Sequence, residues 1–249
     1  MENKLQLALF ALLFIFCGML LEIAIIYWQM PSHAQLVVPK TQSSESSASV
    51  AIVAVSDDGT GVVGTATVEI KPGKGRILFN TNPFVEPDMQ YSIETAKSVA
   101  ESVTASELSN KDLIYSITTP QAKLVGGPSA GAALCVATIA AIQGKQVRKD
   151  VAITGTIQPN GYIGQVAGLL EKAQAAAEKG FKFFLVPKGQ SIVVVYERKE
   201  SEKKGPGFIF KRIYYEPKQV DLNEAMFEQY GMQVIEIGTI HEAVKLAIE

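Results

Sequence analysis

From Ser129 to Gln143 the chain reads SAGAALCVATIAAIQ, a run in which almost every side chain is apolar or small. Such a stretch predicts a helix with no polar face, ended by Gly144, and a helix that is hydrophobic all round is a buried one. A chain of 249 residues has room for the core this requires, as one substantial domain or two small ones.

The entry to that helix is Gly126-Gly127-Pro128-Ser129-Ala130-Gly131. Gly127 and Gly131 permit a sharp turn and close approach of a substrate, and Pro128 sets the helix entry. Free N–H groups at the turn, with Gly127 and Ala130 as candidates, can stabilise a developing oxyanion. Ser129 therefore has two readings, a helix N-cap or a nucleophile. Lys172 follows 43 positions later, in a predicted helix over residues 168–179. On a helical wheel it shares the apolar face with Leu169, Ala173 and Ala176, while Glu171 points away. A lysine held on an apolar face loses hydration, its pKa falls, and it becomes a general base. The competing reading is a lysine whose stem covers apolar surface while its amine reaches water.

Gly127 to Gly131 also fits the G-x-S-x-G elbow of α/β-hydrolases, with Asp221 and His241 in the right chain order to complete a triad. Against that, residues 120–128 read as a loop, where the elbow follows a core strand. The only other histidine, His33, lies in a polar stalk.

The net charge of −2 gives no electrostatic reason to expect nucleic acid. Two cysteines, Cys17 and Cys135, predict no disulfide framework, and the scattered histidines and cysteines make no metal cluster. No cofactor is expected. Residues 7–21 are apolar or glycine, and after Glu22 the run resumes to Trp28. Its length suits a transmembrane anchor over residues 5–30, with Tyr27 and Trp28 at the interface. A cleaved signal peptide ending at Ser32-His33-Ala34 is the alternative. Lys4 precedes the span and no Lys or Arg follows until Lys40, which predicts a single-pass membrane protein with its catalytic domain outside.

Residues 31–48 read as a flexible linker rich in serine, and residues 49–249 as the folded domain. Strands are expected at 50–55, 61–70, 76–79, 113–118, 151–157, 181–186 and 233–237. Helices are expected at 89–108, 129–143, 168–179, 222–229 and 239–248. Asn160-Gly161 signals a hairpin. Residues 192–196 and 208–214 flank a charged stretch and a Gly205-Pro206-Gly207 turn, giving a long hairpin within 190–219. Strands and helices in this irregular order predict an α+β fold of mixed sheets and helices rather than a doubly wound sheet.

Taken together, several motifs in register over about 150 residues resemble the proteolytic domain of the Lon proteases. Pro128-Ser129-Ala130-Gly131 resembles that family's P-S-A-G turn, and Lys172 matches the lysine of its G-G-[IL]-K-E-K segment at the same separation. Val147-Arg148-Lys149-Asp150-Val151-Ala152-Ile153-Thr154-Gly155 resembles V-R-x-D-V-A-M-T-G, and Pro72-Gly73-Lys74-Gly75 resembles its P-G-K-G turn. The chain departs from the pattern at Gly126, where the family has an acidic residue, and at Leu170, where it has a lysine. The 190–219 hairpin looks like an insertion. The resemblance implies a serine endopeptidase with a Ser129–Lys172 dyad supported by Thr154, acting on polypeptide substrates. It also implies a ring-like homo-oligomer, with a hexamer as the candidate state. No G-x-x-x-x-G-K-[ST] loop occurs in the sequence, so ATP-driven unfolding is not expected of this chain. A non-catalytic anchored scaffold of the same fold is the competing function, although a scaffold has no use for the serine–lysine pair.

Overall fold

The computed structural model describes residues 18–20, 45–82, 84–119 and 124–249. Its centre is β1 (Ser46–Val55), whose side chains alternate between two hydrophobic layers. Ala48, Val50 and Ile52 enter one core, while Val53 and, less completely, Ala51 enter the other. A strand buried on both faces must lie inside a sheet covered on both sides.

The remaining strands of that sheet are β2 (Gly61–Pro72), β3 (Ile77–Asn82), β5 (Lys111–Thr118), β7 (Val151–Ile153), β10 (Phe183–Pro187) and β13 (Gln233–Ile237). They run in the order β13-β10-β7-β1-β2-β5-β3. Two-residue strands β4 (Phe84–Val85) and β6 (Leu124–Val125) pair outside it, as do β8 (Thr156–Ile157) and β9 (Ile163–Gly164). A separate two-stranded ribbon is formed by β11 (Ile192–Gly205) and β12 (Phe208–Asp221).

Helix α1 (Pro87–Thr104) and helix α2 (Gly131–Gln143) cover one face of the sheet, together with α5 (Ile240–Ala247). Helix α3 (Leu169–Glu178) and helix α4 (Leu222–Tyr230) cover the other. Eleven consecutive residues of α2, Gly131 to Ala141, are buried, as the apolar sequence requires. The helix ends where Gly144 turns left-handed at φ 65°.

The mixture of sheets and helices is as expected, but half of the main sheet is regular. Strands β1, β7, β10 and β13 are mutually parallel, β2 runs antiparallel to both β1 and β5, and β3 pairs with β5 in parallel. Parallel neighbours need a crossover, and α3 and α4 supply it for β7 to β10 and β10 to β13. The ribbon strands are also longer than the apolar pattern alone predicts, because the ladder continues to Gly205 and Phe208 with charged β11 residues mostly facing aromatic or aliphatic residues of β12.

The expectation of a transmembrane helix, and with it single-pass membrane localisation, is corrected. Among the described residues no helix is long and apolar enough to cross a membrane. Helix α1 has the length, at 18 residues, but it is amphipathic. Helix α2 is apolar but has 13 residues, about 20 Å of rise against a hydrocarbon layer of about 30 Å. Its apolar surface is already consumed by the core. Apart from residues 18–20, the 5–30 segment and the whole 31–44 stretch lie outside the described residues.

Candidate functional site

The serine is delivered by a change of backbone handedness. Gly127 takes φ 81° and ψ 144°, a region that L side chains rarely adopt, and Pro128 opens a single 3-10 turn, Pro128–Ala130, that runs into α2. Ser129 is the middle residue of that turn. Its carbonyl accepts the Gly155 N–H at 2.8 Å and the Thr154 hydroxyl at 3.3 Å. Ala132 returns a bond to the Gly155 carbonyl at 3.0 Å. The chain leaving β7 therefore clamps the serine turn through its backbone.

A second clamp comes from the start of α1. Asp88 accepts the Gly127 N–H on Oδ2 at 2.9 Å and the Met89 N–H on Oδ1 at 2.8 Å. Beside it, the Glu86 carboxylate fills the space over Gly126, where an added Cβ would lie 1.7 Å from Glu86 Oε2. The missing side chain at Gly126 is thus a close approach between two segments.

The lysine comes from the opposite face of the sheet. Lys172 sits in the first turn and a half of α3, on the side that carries Leu169, Ala173 and Ala176 into the core. It is only 4% exposed. Burial lowers its pKa from 10.5 to about 8, with the neighbouring Glu171 carboxylate opposing the shift. Among the described residues no hydrogen bond or ion pair holds its ammonium group. The helix can lie this close to β2 because Gly61 has no side chain. A Cβ there would lie 1.9 Å from the Glu171 carbonyl oxygen.

Ser129 and Lys172 line one cavity of about 560 Å³, together with Gly126, Gly127, Thr156 and Gly168. The structure brings together both residues that the sequence singles out for chemistry. Thr154 is fully buried and does not line the cavity, and its hydroxyl acts on the Ser129 carbonyl. Thr156, two residues on, is the threonine in the cavity wall. Gly127 lines the cavity with its N–H already engaged by Asp88, while Ala130 is buried behind the serine.

The hydrolase triad is not assembled, which corrects that alternative. Asp221 caps α4, accepting the Asn223 and Glu224 N–H groups at 2.8 and 3.1 Å. His241 is an exposed residue of α5. Neither lines the serine's cavity. Sequence reasoning missed Asp88 and Thr156. The Pro87-Asp88 pair is a helix-opening signal, but nothing local links it to a turn 39 residues away. Cys135 is buried in α2, and burial pushes its thiol pKa up.

Residues 38–195 match the family described as Lon protease (S16) C-terminal proteolytic domain. The chain is 32% identical over 151 residues to the Lon protease of Buchnera aphidicola subsp. Baizongia pistaciae, a match covering 58% of this chain and 18% of that protein. It is 35% identical over 133 residues to the Lon protease of Vibrio parahaemolyticus, covering 50% of this chain and 16% of the relative. It is also 35% identical over 121 residues to the Lon protease of Escherichia coli K12, covering 47% and 15%. The chain therefore spans less than a fifth of the length of these curated relatives. With a family match across well over half of its length, and Ser129 on its 3-10 turn sharing a cavity with a buried lysine, the chain belongs to the Lon protease C-terminal proteolytic domain family.

Proposed function

We propose that this chain is a serine endopeptidase working through a Ser129–Lys172 dyad, and that it cleaves flexible or unfolded polypeptides without using ATP. The observation that carries this reading is the shared cavity, in which a serine on a clamped turn faces a space also lined by a buried lysine with a pKa near 8. Neutral Lys172 removes the proton from Ser129 Oγ as the Oγ–carbon bond forms at the scissile carbonyl. The N–H groups of the 3-10 turn, those of Ser129 and Ala130 in particular, supply the positive ends that steady the oxyanion. The lysine then passes its proton to the departing amine as the C–N bond breaks. In the second half, Lys172 takes a proton from water as the water oxygen bonds to the acyl carbon, and it returns that proton to Ser129 Oγ as the Oγ–carbon bond breaks and the acid product leaves.

Thr154 steadies the nucleophile's backbone in this scheme, and Thr156 belongs to the wall that a substrate touches. Substrates that are already flexible belong to the same reading. Assembly into a homo-oligomeric ring belongs to the same proposal, and sedimentation of the full chain tests it.

Separate Lys172→Ala and His241→Ala substitutions test the dyad. Peptidase activity lost with the lysine and kept with the histidine supports it, and the reverse pattern sinks it. Labelling of Ser129 by a serine-reactive phosphonate separates an enzyme from a scaffold of the same fold.

A further inference from the structure

The β11–β12 ribbon is the one large element that the proposed chemistry does not use. The family match stops at Val195, so nearly all of the ribbon lies beyond it. Along β11 the burial alternates with period two: Ile192, Val194 and Tyr196 are exposed, whereas Val193 and Val195 are half-buried. Val193 packs on the core beneath α3, so the second face turns outward. The register pairs Arg198 with Tyr215 and Glu200 with Ile213, which places those two β12 residues on the same outward face. Ile192, Val194, Tyr196, Tyr215 and Ile213 are each more than half exposed, and together they form an apolar stripe.

The ribbon also leaves a backbone edge open. Among the described residues β11 pairs with no strand but β12, so over residues 193–196 its other edge is open to a further strand. A groove of about 520 Å³ runs along this edge, walled by residues 193–196 on one side and by Val166, Gly168 and Glu171 on the other. Those last three residues also line the cavity of Ser129 and Lys172. Groove and cavity therefore share three wall residues, which sets the open edge of β11 directly beside the candidate active site.

We infer that the ribbon is a capture arm for the polypeptide substrate: an extended segment adds as a third strand along the free edge of β11, sets apolar side chains on the exposed stripe, and passes into the Ser129 cavity. Main-chain pairing gives affinity with little sequence preference, and the stripe favours segments rich in aromatic and aliphatic residues. The position of the groove against the Ser129 cavity, with three lining residues in common, is what selects the substrate over a second copy of this chain as the occupant. The inference rests on the proposed endopeptidase reading for its occupant.

Two full-chain variants test it, each in a Ser129→Ala background so that bound substrate persists. One is the double substitution Ile213→Ser with Tyr215→Ser. The other replaces residues 198–215 by Asn-Gly, joining Glu197 to its register partner Glu216 by a two-residue turn. Fluorescence anisotropy reads the binding of a labelled, reduced and carboxymethylated polypeptide of about 100 residues. Both variants are expected to weaken its Kd by about tenfold or more, while the same variants with Ser129 restored hydrolyse a fluorogenic tetrapeptide within about twofold of the parent. An unchanged Kd in both variants overturns the arm. A change in sedimenting mass that accounts for the lost binding also overturns it, in favour of a contact between copies. If the parent chain binds the polypeptide through the arm but cleaves neither substrate, the peptidase reading fails and the binding arm stands.

Discussion

Asp88 Oδ2 accepts the Gly127 N–H at 2.9 Å, tying the first turn of α1 to the residue two positions before Ser129. The same carboxylate holds the Met89 N–H at 2.8 Å through its other oxygen. One side chain thus sets both the start of a helix and the tilt of the peptide that leads into Ser129. Asp88→Ala frees that peptide and is expected to lower kcat about 10- to 100-fold, with helix-terminus stability falling by only about 0.3–1 kcal/mol. Asp88→Asn keeps an acceptor oxygen and should restore most of kcat. Steady-state kinetics of the two variants, compared with their thermal melts, separate positioning from folding.

Lys172 predicts the pH profile. Its pKa is lowered to about 8, so the neutral base form is scarce below that pH and dominant above it. The value of kcat/KM should rise about tenfold per pH unit up to near pH 8 and then level off. A flat profile between pH 6 and 9 would remove the lysine from the proton path.

The same shift has a stability consequence. Between the folded value of about 8 and the ordinary value of 10.5, the unfolded chain binds more protons than the folded one. Stability therefore rises with pH through that window, and below it the full cost of burying a charged ammonium is present. That cost is about 3 kcal/mol as an upper figure. Lys172→Met should abolish hydrolysis and yet raise stability at pH 7 by about 1–3 kcal/mol, read by urea unfolding.

Thr154 and Thr156 should separate cleanly. Thr154→Val removes a buried hydroxyl that donates to the Ser129 carbonyl, at a cost of about 1 kcal/mol in stability together with a fall in kcat. Thr156→Val alters the cavity wall and should change kcat/KM with little effect on the melt. Equal thermal losses in both variants would contradict this division.

Gly61 offers a purely steric prediction. A Cβ there meets the Glu171 carbonyl at 1.9 Å, and backbone cannot swing aside as a side chain can. Gly61→Ala should cost about 1–3 kcal/mol or more and push the Lys172 helix away from the sheet. At Gly126 the obstructing atoms belong to the flexible Glu86 carboxylate, so Gly126→Ala should be milder and should be rescued by Glu86→Ala. A double-mutant cycle measures that coupling.

Local chemistry made much of this legible. The apolar run after Ser129 announced α2, and its Gly144 stop fell where the structure ends the helix. The position of Lys172 on the apolar face of its helix was readable from spacing, but spacing left open whether its amine reached water, and only the packed structure decides for burial. What escaped reading depends on pairs distant in sequence. Strands β7, β10 and β13 share one direction with β1, a relation that no window of ten residues contains. Asp88 looks from sequence like an ordinary acidic residue in a first helical turn, and its bond to Gly127 exists only because α1 and α2 pack together. Thr154 carried the motif, yet Thr156 reached the cavity. Between them Gly155, at φ 152°, ends the short β7 strand and closes the backbone bond to Ser129.

Helix α2, buried along nearly its whole length, has a consequence for amide hydrogen exchange. Its N–H groups lie in the part of the molecule that cannot open locally without exposing the core, so they should exchange only through global unfolding. Ser129 sits at the mouth of that slowest-exchanging unit. Across the cavity, residues 165–168 form an irregular segment tied down chiefly by the Gln190 side chain, which accepts the Val166 N–H and donates to its carbonyl, and the other amides of that segment should exchange much sooner. The site then has one wall that persists as long as the fold itself and another that can breathe to admit a chain.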